Sequence, residues 1–293
     1  MARCGTQFLV EMIILTSPSE MHSWVRSLSG NPTIGFVPTM GALHAGHEAL
    51  LQQSQSENEA TVLSIFVNPT QFNVDADFDA YPRTVERDLR IAEHHGVDAV
   101  YLPSTEAMYP KGWRVFVEPG SASDPMEGEG RPGHFRGVTT IVSKLLHAVQ
   151  PHRAYFGKKD YQQLAVVKQM VDELDLAVEI VGVDTIRHDD GLAMSSRNVR
   201  LDENQRAAAP VIHQSLQLAR HQVAAGDTNP RSIEESIVTT IASQELAKVE
   251  YVKVVRASDL ADIEIIDEMS VVCVAVWFGD VRLIDNVELH PPS

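Results

Sequence analysis

Two histidines stand three residues apart in the segment VPTMGALHAGHEALL, residues 37–51. A β-rich run, TIGFV, leads into this segment and good helix formers follow it, so the pattern predicts a strand that ends near Pro38 and a helix that begins near Gly46. His47 then falls in the first turn of the helix. A helix N-terminus carries free N–H groups and a partial positive charge, so it attracts phosphate, and imidazoles can donate further hydrogen bonds there.

Two other interpretations of the histidine pair stay open. His44 and His47 can be surface residues of an ordinary strand-to-helix loop, and their spacing alone does not separate this from phosphate binding. Histidines three apart on a helix can also share a metal ion, although the sequence places no third ligand nearby. Gly46 has no side chain and lets a ligand approach the backbone, which favours phosphate.

A second candidate site is the segment YFGKKDYQQL, residues 155–164. Gly157 follows a short β-like run, and Asp160 can cap the helix that comes next. Lys158 and Lys159 bracket this turn and are candidate phosphate ligands by charge, although a lysine in a turn is more commonly a solvated surface residue. The two glutamines that open the helix cannot both point the same way, so we expect one of them to face the site.

A third candidate is DGLAMSSRN, residues 190–198, where two hydroxyls and a guanidinium lie in a glycine-bearing loop. Ser195, Ser196 and Arg197 suit a mobile clamp over a triphosphate, and a plain turn is the alternative. The P-loop motif is absent. The glycines of GEGRPG, residues 128–133, do not join a strand directly to a helix, so this segment is expected to be a flexible loop rather than a dinucleotide motif.

Alternating strands and helices must position these three segments. The first part of the chain alternates short β-rich runs with amphipathic helices such as TVERDLRIAEHHG and VTTIVSKLLHAV, which predicts βαβ units and a parallel sheet. The predicted strands are MIIL, TIGFV, TVLSIFV, DAVYL and VEIVGV.

The pattern changes after residue 185. Helices are predicted over 203–225 and 230–247, followed by the strands VEYVKVV, VVCVAVWF and VRLIDNVEL. The Gly-Asp pair between the last two strands is a hairpin signal, so this part is expected to be an α+β unit with an antiparallel sheet. Two domains follow, residues 1–185 and residues 186–293.

The amino-acid composition and net charge disfavour some classes of function. Of the 293 residues, 44% are hydrophobic and 22% are charged, the balance of a packed globular protein. The net charge is −16 and no Lys/Arg run occurs, which disfavours nucleic-acid binding. The apolar run VVCVAVWF is far too short to span a bilayer, so no membrane contact is expected.

Cysteine use and the first residues indicate the compartment. The chain has two cysteines, Cys4 and Cys273, which make neither a disulfide framework nor a metal motif, so a cytoplasmic location is expected. Residues 1–11 match a signal peptide poorly and are expected to be an extension before the first strand.

The three candidate segments together resemble a known family. HAGH, residues 44–47, resembles the H-I-G-H signature of class I aminoacyl-tRNA synthetases and nucleotidyltransferases, and MSSR, residues 194–197, resembles their mobile K-M-S-K-S loop. With FVNPTQFN, DFDAYPRT, RPGHFRGV, IVSKLLHAVQP and FGKKDYQQL, the chain is similar to the pantoate:beta-alanine ligases, or pantothenate synthetases. The similarity covers residues 12–198, and the C-terminal part resembles the family more loosely.

The resemblance implies an α/β fold, a Rossmann-like doubly wound parallel sheet with a second, smaller α+β C-terminal domain. It also implies an activity: ATP and pantoate give pantoyl adenylate and pyrophosphate, and the amine of beta-alanine then gives pantothenate and AMP. Adenylation makes sense because a carboxylate is a poor acyl donor, and the charge that grows on the α-phosphate needs preorganised hydrogen-bond donors.

Site residues carry over by position. The resemblance implies that His47 is the proton donor, with His44 and Lys159 as further catalytic residues at the phosphates. It implies that Gln71 and Gln163 hold pantoate, that Gln71 also lies near beta-alanine, and that Asn68 lines the same pocket. The implied ATP-site residues are Pro38, Met40, Gly41, His44, Gly46, His47, Gly157, Lys158, Lys159, Asp160, Ile186, Met194, Ser195, Ser196 and Arg197.

The resemblance also implies Mg²⁺ and a homodimer formed through the larger domain. Phosphate oxygens are expected to be most of the Mg²⁺ ligands, with Asp88 as the candidate protein ligand. Some relatives have adjacent acidic residues where this chain has Arg87 before Asp88.

Other functions remain as alternatives. A nucleotidyltransferase of the same superfamily could act on another small acid or phosphate, and a binding or scaffold protein would need the histidines only by accident. The missing anticodon-binding region and the acidic balance disfavour a tRNA synthetase, whereas the paired glutamines favour the ligase.

Overall fold

A computed structural model of the chain describes residues 12–73 and 78–292. The extension expected at residues 1–11 lies outside the described residues. Six strands form the larger sheet: β1 (Ile13–Leu15), β2 (Ile34–Thr39), β3 (Ala60–Ile65), β4 (Ala99–Tyr101), β5 (Arg153–Gly157) and β6 (Glu179–Val183). The helices of this part are α1 (Pro18–Ser27), α2 (Ala45–Glu57), α3 (Val85–His94), α4 (Thr105–Met108), α5 (Glu127–Gly130), α6 (His134–Val149) and α7 (Tyr161–Glu173).

The strand order of the larger sheet is β1-β4-β3-β2-β5-β6, and all neighbouring strands are parallel. The chain moves outward from β2 through β3 to β4 on one side and from β5 to β6 on the other. Between β2 and β5 the direction of winding reverses, and ligands of open α/β sheets bind at the carboxyl ends of strands at such a point. The prediction of a doubly wound parallel sheet is confirmed.

Helices cover both faces of the sheet, which explains why strands such as β3 are buried along their whole length. Helix α6 packs its apolar stripe, including Val138, Ile141 and Leu145, against one face. It begins at His134, ahead of the predicted run VTTIVSKLLHAV. A Cβ at Gly137 would lie 2.4 Å from the Thr70 carbonyl oxygen, so only glycine lets α6 approach the segment after β3 this closely.

The C-terminal part consists of three helices and a three-stranded antiparallel sheet. The elements are α8 (Glu203–Ala208), α9 (Val211–Ala224), α10 (Pro230–Ala242), β7 (Ala247–Arg256), β8 (Ser270–Phe278) and β9 (Val281–Leu289). Side chains of a strand alternate between its two faces. Val272 and Val274 of β8 accordingly pack with the helices, whereas Val271 and Cys273 pack with the larger domain.

Three predictions about these elements were wrong in detail. The helix predicted over 203–225 is interrupted, because Pro210 has no backbone N–H to continue α8 into α9. The helix predicted over 230–247 ends at Ala242, because Ala247 pairs with Phe278 in the sheet. The segment 128–133, expected to be a flexible loop, contributes to the helical turn α5.

Three apolar clusters form the core, and one of those on the larger sheet also includes Val271 and Cys273 of β8. One cluster joins α9 and α10 to β8, and two others lie on the faces of the larger sheet. Strand β6 ends at Val183, so we propose the boundary between residues 185 and 186. Within the part of the chain that the structure describes, no helix is long and apolar enough to cross a membrane.

Candidate active site

The carboxyl ends of β2, β5 and β6 surround a cavity of about 240 Å³, called here the central cavity. Residues from all three candidate segments of the sequence line it. These are Pro38, Met40, His44, Gly46, His47, Gly157, Lys159, Asp160, Met194, Ser195, Ser196 and Arg197, and Ile186 and the predicted amides Asn68, Gln71 and Gln163 also line it.

The two histidines cap the N-terminus of α2 with their own rings. The Gly46 N–H donates to Nδ1 of His44 at 3.1 Å, and the His44 N–H donates to Nδ1 of His47 at 3.3 Å. A nitrogen that accepts a backbone N–H carries no hydrogen, so each neutral ring has its hydrogen on Nε2. A Cβ at Gly46 would lie 2.9 Å from the His44 ring, so glycine is needed there for the imidazole as well.

Both imidazoles are held neutral. Burial, followed by the charge of Lys159, lowers the pKa of His44, and burial together with neighbouring His44 lowers the pKa of His47 to about 3. The ring centroids are 4.1 Å apart, and two imidazolium ions at that distance would repel each other. At neutral pH the pair can therefore donate two Nε2–H hydrogen bonds without carrying charge.

Asp88 fixes the loop that leads into α2. Its carboxylate accepts hydrogen bonds from the N–H groups of Ala42 and Leu43, each at 2.9 Å, and from the Thr84 hydroxyl at 3.1 Å. The side chain is completely buried. Gly41 and Ala42 both adopt positive φ, at 81° and 52°, and these bonds hold that unusual turn in place.

This position does not favour Asp88 as a direct magnesium ligand. Its oxygens accept hydrogen bonds, and it lines a separate pocket of about 280 Å³ beside Gly41 instead of the central cavity. Gly41 therefore shapes the histidine loop from behind instead of contacting the cavity. Among the described residues, no group of three or more His, Cys, Asp or Glu side chains could hold a metal ion.

The turn after β5 separates its two lysines. Lys159 lines the central cavity, and its ammonium lies 3.6 Å from Asp160. Lys158 points away and pairs with Asp184 at 3.0 Å and Glu288 at 3.1 Å. Partial burial lowers the pKa of Lys158, but the two carboxylates outweigh this effect and raise it above the ordinary value. The expectation that the Lys158 side chain contacts phosphate is therefore not supported.

The hydroxyl-bearing loop closes the cavity from the C-terminal side. Its base is a short hairpin in which the Met194 N–H donates to the Ile186 carbonyl at 2.9 Å. The Ser195 hydroxyl accepts a hydrogen bond from the Arg197 N–H at 3.2 Å, and Ser196 and Tyr81 both line the cavity. The loop thus brings two hydroxyls and a guanidinium to the cavity.

Amide side chains form the inner wall of the cavity. Asn68 is almost completely buried and donates to Oε1 of Gln71 at 3.0 Å and to the Gly137 carbonyl at 3.1 Å. The Gln71 amide nitrogen then points toward the sulfur of Met40 at 3.2 Å, a weak acceptor that a better one can replace. Asn68 therefore orients Gln71 in addition to lining the pocket.

The two glutamines that open α7 have different environments. Gln163 lines the cavity and makes no hydrogen bond with any residue that the structure describes. Gln162 is buried, accepts from the Glu127 N–H at 3.0 Å and donates to the Ala122 and Pro125 carbonyls at 3.0 and 2.7 Å. Of the two glutamines, only Gln163 lines the central cavity.

Arg131 and His134, for which the sequence predicted no role, line the central cavity as well. His134 donates from Nδ1 to the Gln71 carbonyl at 2.7 Å, so its Nε2 accepts from Arg131 at 3.2 Å. Burial, followed by the Arg131 charge, lowers the pKa of His134 to about 4. A signal was present: the two residues lie three apart at the start of α6, much as the first histidine pair lies at the start of α2.

A second cavity of about 310 Å³, the side cavity, adjoins the central cavity at Arg131, His134 and Lys159. An ion-pair network between the domains forms its far wall. Arg282 of β9 donates two hydrogen bonds to Glu127, at 2.6 and 2.9 Å, and two to Glu250, at 2.8 and 2.9 Å. Burial opposes ionisation of Glu127, but Arg282 keeps its pKa below the ordinary value.

Comparisons with known proteins show which family the chain belongs to. The family profile described as Pantoate-beta-alanine ligase matches residues 13–288. A pantothenate synthetase of Acetivibrio thermocellus is 46% identical over 277 residues, which are 94% of this chain and 99% of the relative.

Two solved structures are similar over nearly the whole chain. The pantothenate synthetase of Thermus thermophilus is 40% identical with a TM-score of 0.90, covering 96% of this chain and 100% of that one. The pantoate-beta-alanine ligase of Francisella tularensis, complexed with beta-gamma ATP and beta-alanine, is 36% identical with a TM-score of 0.78, covering 94% of this chain and 97% of that one. The chain described here therefore belongs to the pantoate-beta-alanine ligase family.

Proposed function

We propose that the chain condenses pantoate with beta-alanine in two steps within the central cavity. First, a carboxylate oxygen of pantoate attacks the α-phosphorus of ATP, the bond from that phosphorus to the β-phosphate breaks, and pyrophosphate leaves. Then the amine of beta-alanine attacks the carbonyl carbon of pantoyl adenylate. AMP leaves with the oxygen that came from pantoate, and the amine loses a proton to water as the amide forms.

The observation that carries this proposal is the meeting of three kinds of group in one cavity. The neutral imidazoles of His44 and His47 lie at the end of β2, the Lys159 ammonium lies at the end of β5, and uncommitted amides lie beside them. Donors aimed at a phosphate next to an amide-lined pocket suit the activation of a carboxylic acid.

In the first step the donors act on charge that grows on the phosphates. We propose that His44 and His47 donate their Nε2 hydrogens to phosphate oxygens as hydrogen bonds, because neither ring carries a second proton to give away near neutral pH. Lys159 supplies the positive charge at the α-phosphate. Ser195, Ser196 and Arg197, with the backbone at Ile186 and Met194, are proposed to close over the remaining phosphates and the nucleoside.

The amides are proposed to hold pantoate. A carboxamide can donate to a carboxylate and accept from a hydroxyl, and pantoate presents both groups. Gln163 has its full hydrogen-bonding capacity available, and Gln71 has its amide nitrogen available, which supports both assignments. We propose that Gln71 also faces beta-alanine, and that the second step depends mainly on holding the amine against the adenylate.

Magnesium is proposed to arrive with the nucleotide. The described residues do not form a protein-held metal site, and the carboxylate expected to contribute, Asp88, is engaged by backbone N–H groups. Phosphate oxygens and water are the ligands that Mg²⁺ prefers in nucleotide sites. The ion is then part of the substrate complex.

A cytoplasmic homodimer is proposed as the working form. Within the described residues, β1 is an edge strand that pairs with β4 alone, and it exposes Ile13 and Ile14, which supports an interface on the larger domain. The low cysteine count, with Cys273 buried and free, supports a reducing compartment. Sedimentation of the purified protein tests the dimer.

Exchange of labelled pyrophosphate into ATP tests the proposed function. Reversal of the first step should produce labelled ATP when pantoate is present, without beta-alanine, and no labelled ATP when pantoate is omitted. Exchange supported by a different acid or phosphate in place of pantoate would favour the nucleotidyltransferase alternative. Absence of exchange with any such substrate would favour a binding or scaffold protein.

A further inference from the structure

Asn286 of β9 holds the turn that carries Lys159. Its amide nitrogen donates to the backbone carbonyls of Lys158 and Lys159, both at 2.8 Å. Only 7% of Asn286 is exposed. The two amide hydrogens of one side chain thus fix two successive carbonyls of a turn in the other domain.

Asn286 is itself held in place. Its backbone N–H donates to Oδ1 of Asp285 at 2.8 Å, and the Asp285 carboxylate forms a two-pronged pair with Arg187 at 2.6 and 2.9 Å. Arg187 also donates to the Gly191 carbonyl at 3.1 Å, in the hairpin that leads to Met194. Because Asp285 is buried and the pair is bidentate, this part of β9 has little freedom to move.

The Lys159 side chain has little else to define its position. Its ammonium lies 3.6 Å from Asp160, outside hydrogen-bond distance, and most of the side chain is buried toward the cavity. A four-carbon side chain with a loose ion pair takes its location mainly from its backbone. The backbone carbonyl of Lys159 is one of the two groups that Asn286 holds.

We propose that Asn286 is a positioning residue for the adenylation step: through the Lys158 and Lys159 carbonyls it sets the place of the Lys159 ammonium at the phosphates. The inference rests on the proposed function of the central cavity. Asn286 lines the side cavity and does not line the central one, so it acts through Lys159. A small displacement of a catalytic group can lower the rate by up to roughly 100-fold. Loss of Asn286 should displace Lys159 only in part, so we expect a loss of about tenfold.

A double-mutant cycle with the full-length protein tests this. The rate of pantoate-dependent pyrophosphate exchange is measured for the wild type, Asn286→Ala, Lys159→Met and the double variant. Asn286→Ala should lower kcat about tenfold while the KM for pantoate changes less than about twofold. In the Lys159→Met background the same change should cost less than about twofold, because the group that Asn286 positions is gone.

Asn229→Ala is the matched control. Asn229 caps α10 in the same domain and lines neither cavity, so this change should lower the melting temperature but leave the exchange rate per folded molecule unchanged. Asn286→Asp, which keeps the shape and removes both donors, repeats the test if the alanine variant is poorly folded. Melting curves confirm that each variant is folded at the assay temperature.

Two results would overturn the inference: wild-type exchange by folded Asn286→Ala and Asn286→Asp, or an equal fold-loss with and without Lys159. Failure of the proposed function is distinguishable, because the wild-type protein itself would then show no pantoate-dependent exchange.

Discussion

The backbone N–H of His44 donates a hydrogen bond of 3.3 Å to Nδ1 of His47, and this bond determines how the imidazole pair can act. It leaves the His47 hydrogen on Nε2. His44 is fixed in the same way by the Gly46 N–H. Both rings are therefore oriented by the helix they cap, and both serve as neutral donors.

The first prediction concerns pH. Because the folded pKa of His47 is lowered to about 3, that ring stays neutral as pH falls from 8 through its ordinary value of 6.5, and the pKa of His44 is lowered as well. The kcat/KM of adenylate formation for ATP, which reports the free enzyme, should show no acid limb near pH 6.5 from His47. A limb at that pH that disappears in His47→Gln would contradict the neutral-donor account.

The second prediction concerns Lys159. Lys159→Met should lower the rate of adenylate formation by about 100-fold or more, because the ammonium acts where charge develops. The matched variant Lys158→Met removes an ammonium that is paired with Asp184 and Glu288. Its rate of adenylate formation should therefore fall by less than about tenfold. Rapid-quench measurement of adenylate formation separates the two. Similar losses in both variants would contradict a specific contact between the Lys159 ammonium and the phosphates.

The third prediction concerns Gln163. Gln163→Ala should raise the KM for pantoate roughly 10- to 100-fold, because a hydrogen bond to a charged group is lost. The adjacent Gln162→Ala should instead lower stability, since the Glu127 N–H and two carbonyls lose their partner, with the KM for pantoate changed less than about twofold. If the two variants gave the same KM, the assignment of Gln163 would be wrong.

The fourth prediction concerns Asp88. Asp88→Asn puts an amide where two backbone N–H groups need acceptors, so it should cost about 1–3 kcal/mol of unfolding free energy and slow adenylation. The concentration of Mg²⁺ that gives half-maximal exchange should stay the same. Urea unfolding and a Mg²⁺ titration check both parts. A large shift of the Mg²⁺ requirement would show that Asp88 is a metal ligand after all.

Local sequence patterns predicted much of this site. The strand-to-helix junction at His47 and the loop at Ser195 follow from apolar periodicity and turn residues, so both could be found from short segments. Strand β5 had only a weak local signal before Gly157. The interruption of the helix predicted over 203–225 depended on Pro210, and the end of the helix predicted over 230–247 depended on strand pairing at Ala247.

Contacts between distant segments could not be predicted in this way. Asn286 holds a carbonyl 128 residues earlier in the chain, and Arg282 pairs with Glu127 across 155 residues. Neither hydrophobic periodicity nor a short motif predicts contacts between residues so far apart in the chain. For the same reason the resemblance made Asp88 a candidate metal ligand, whereas its hydrogen-bond partners Ala42 and Leu43 lie in the loop before a different helix.

Transfer of labelled oxygen tests the central claim most directly. Pantoate with ¹⁸O in both carboxylate positions is converted with ATP and beta-alanine, and the products are analysed by mass spectrometry. Formation of pantoyl adenylate predicts that one ¹⁸O atom appears in AMP and one remains in the new amide. If AMP carried no label, or if the label appeared in inorganic phosphate beside ADP, activation of pantoate through an adenylate would be contradicted.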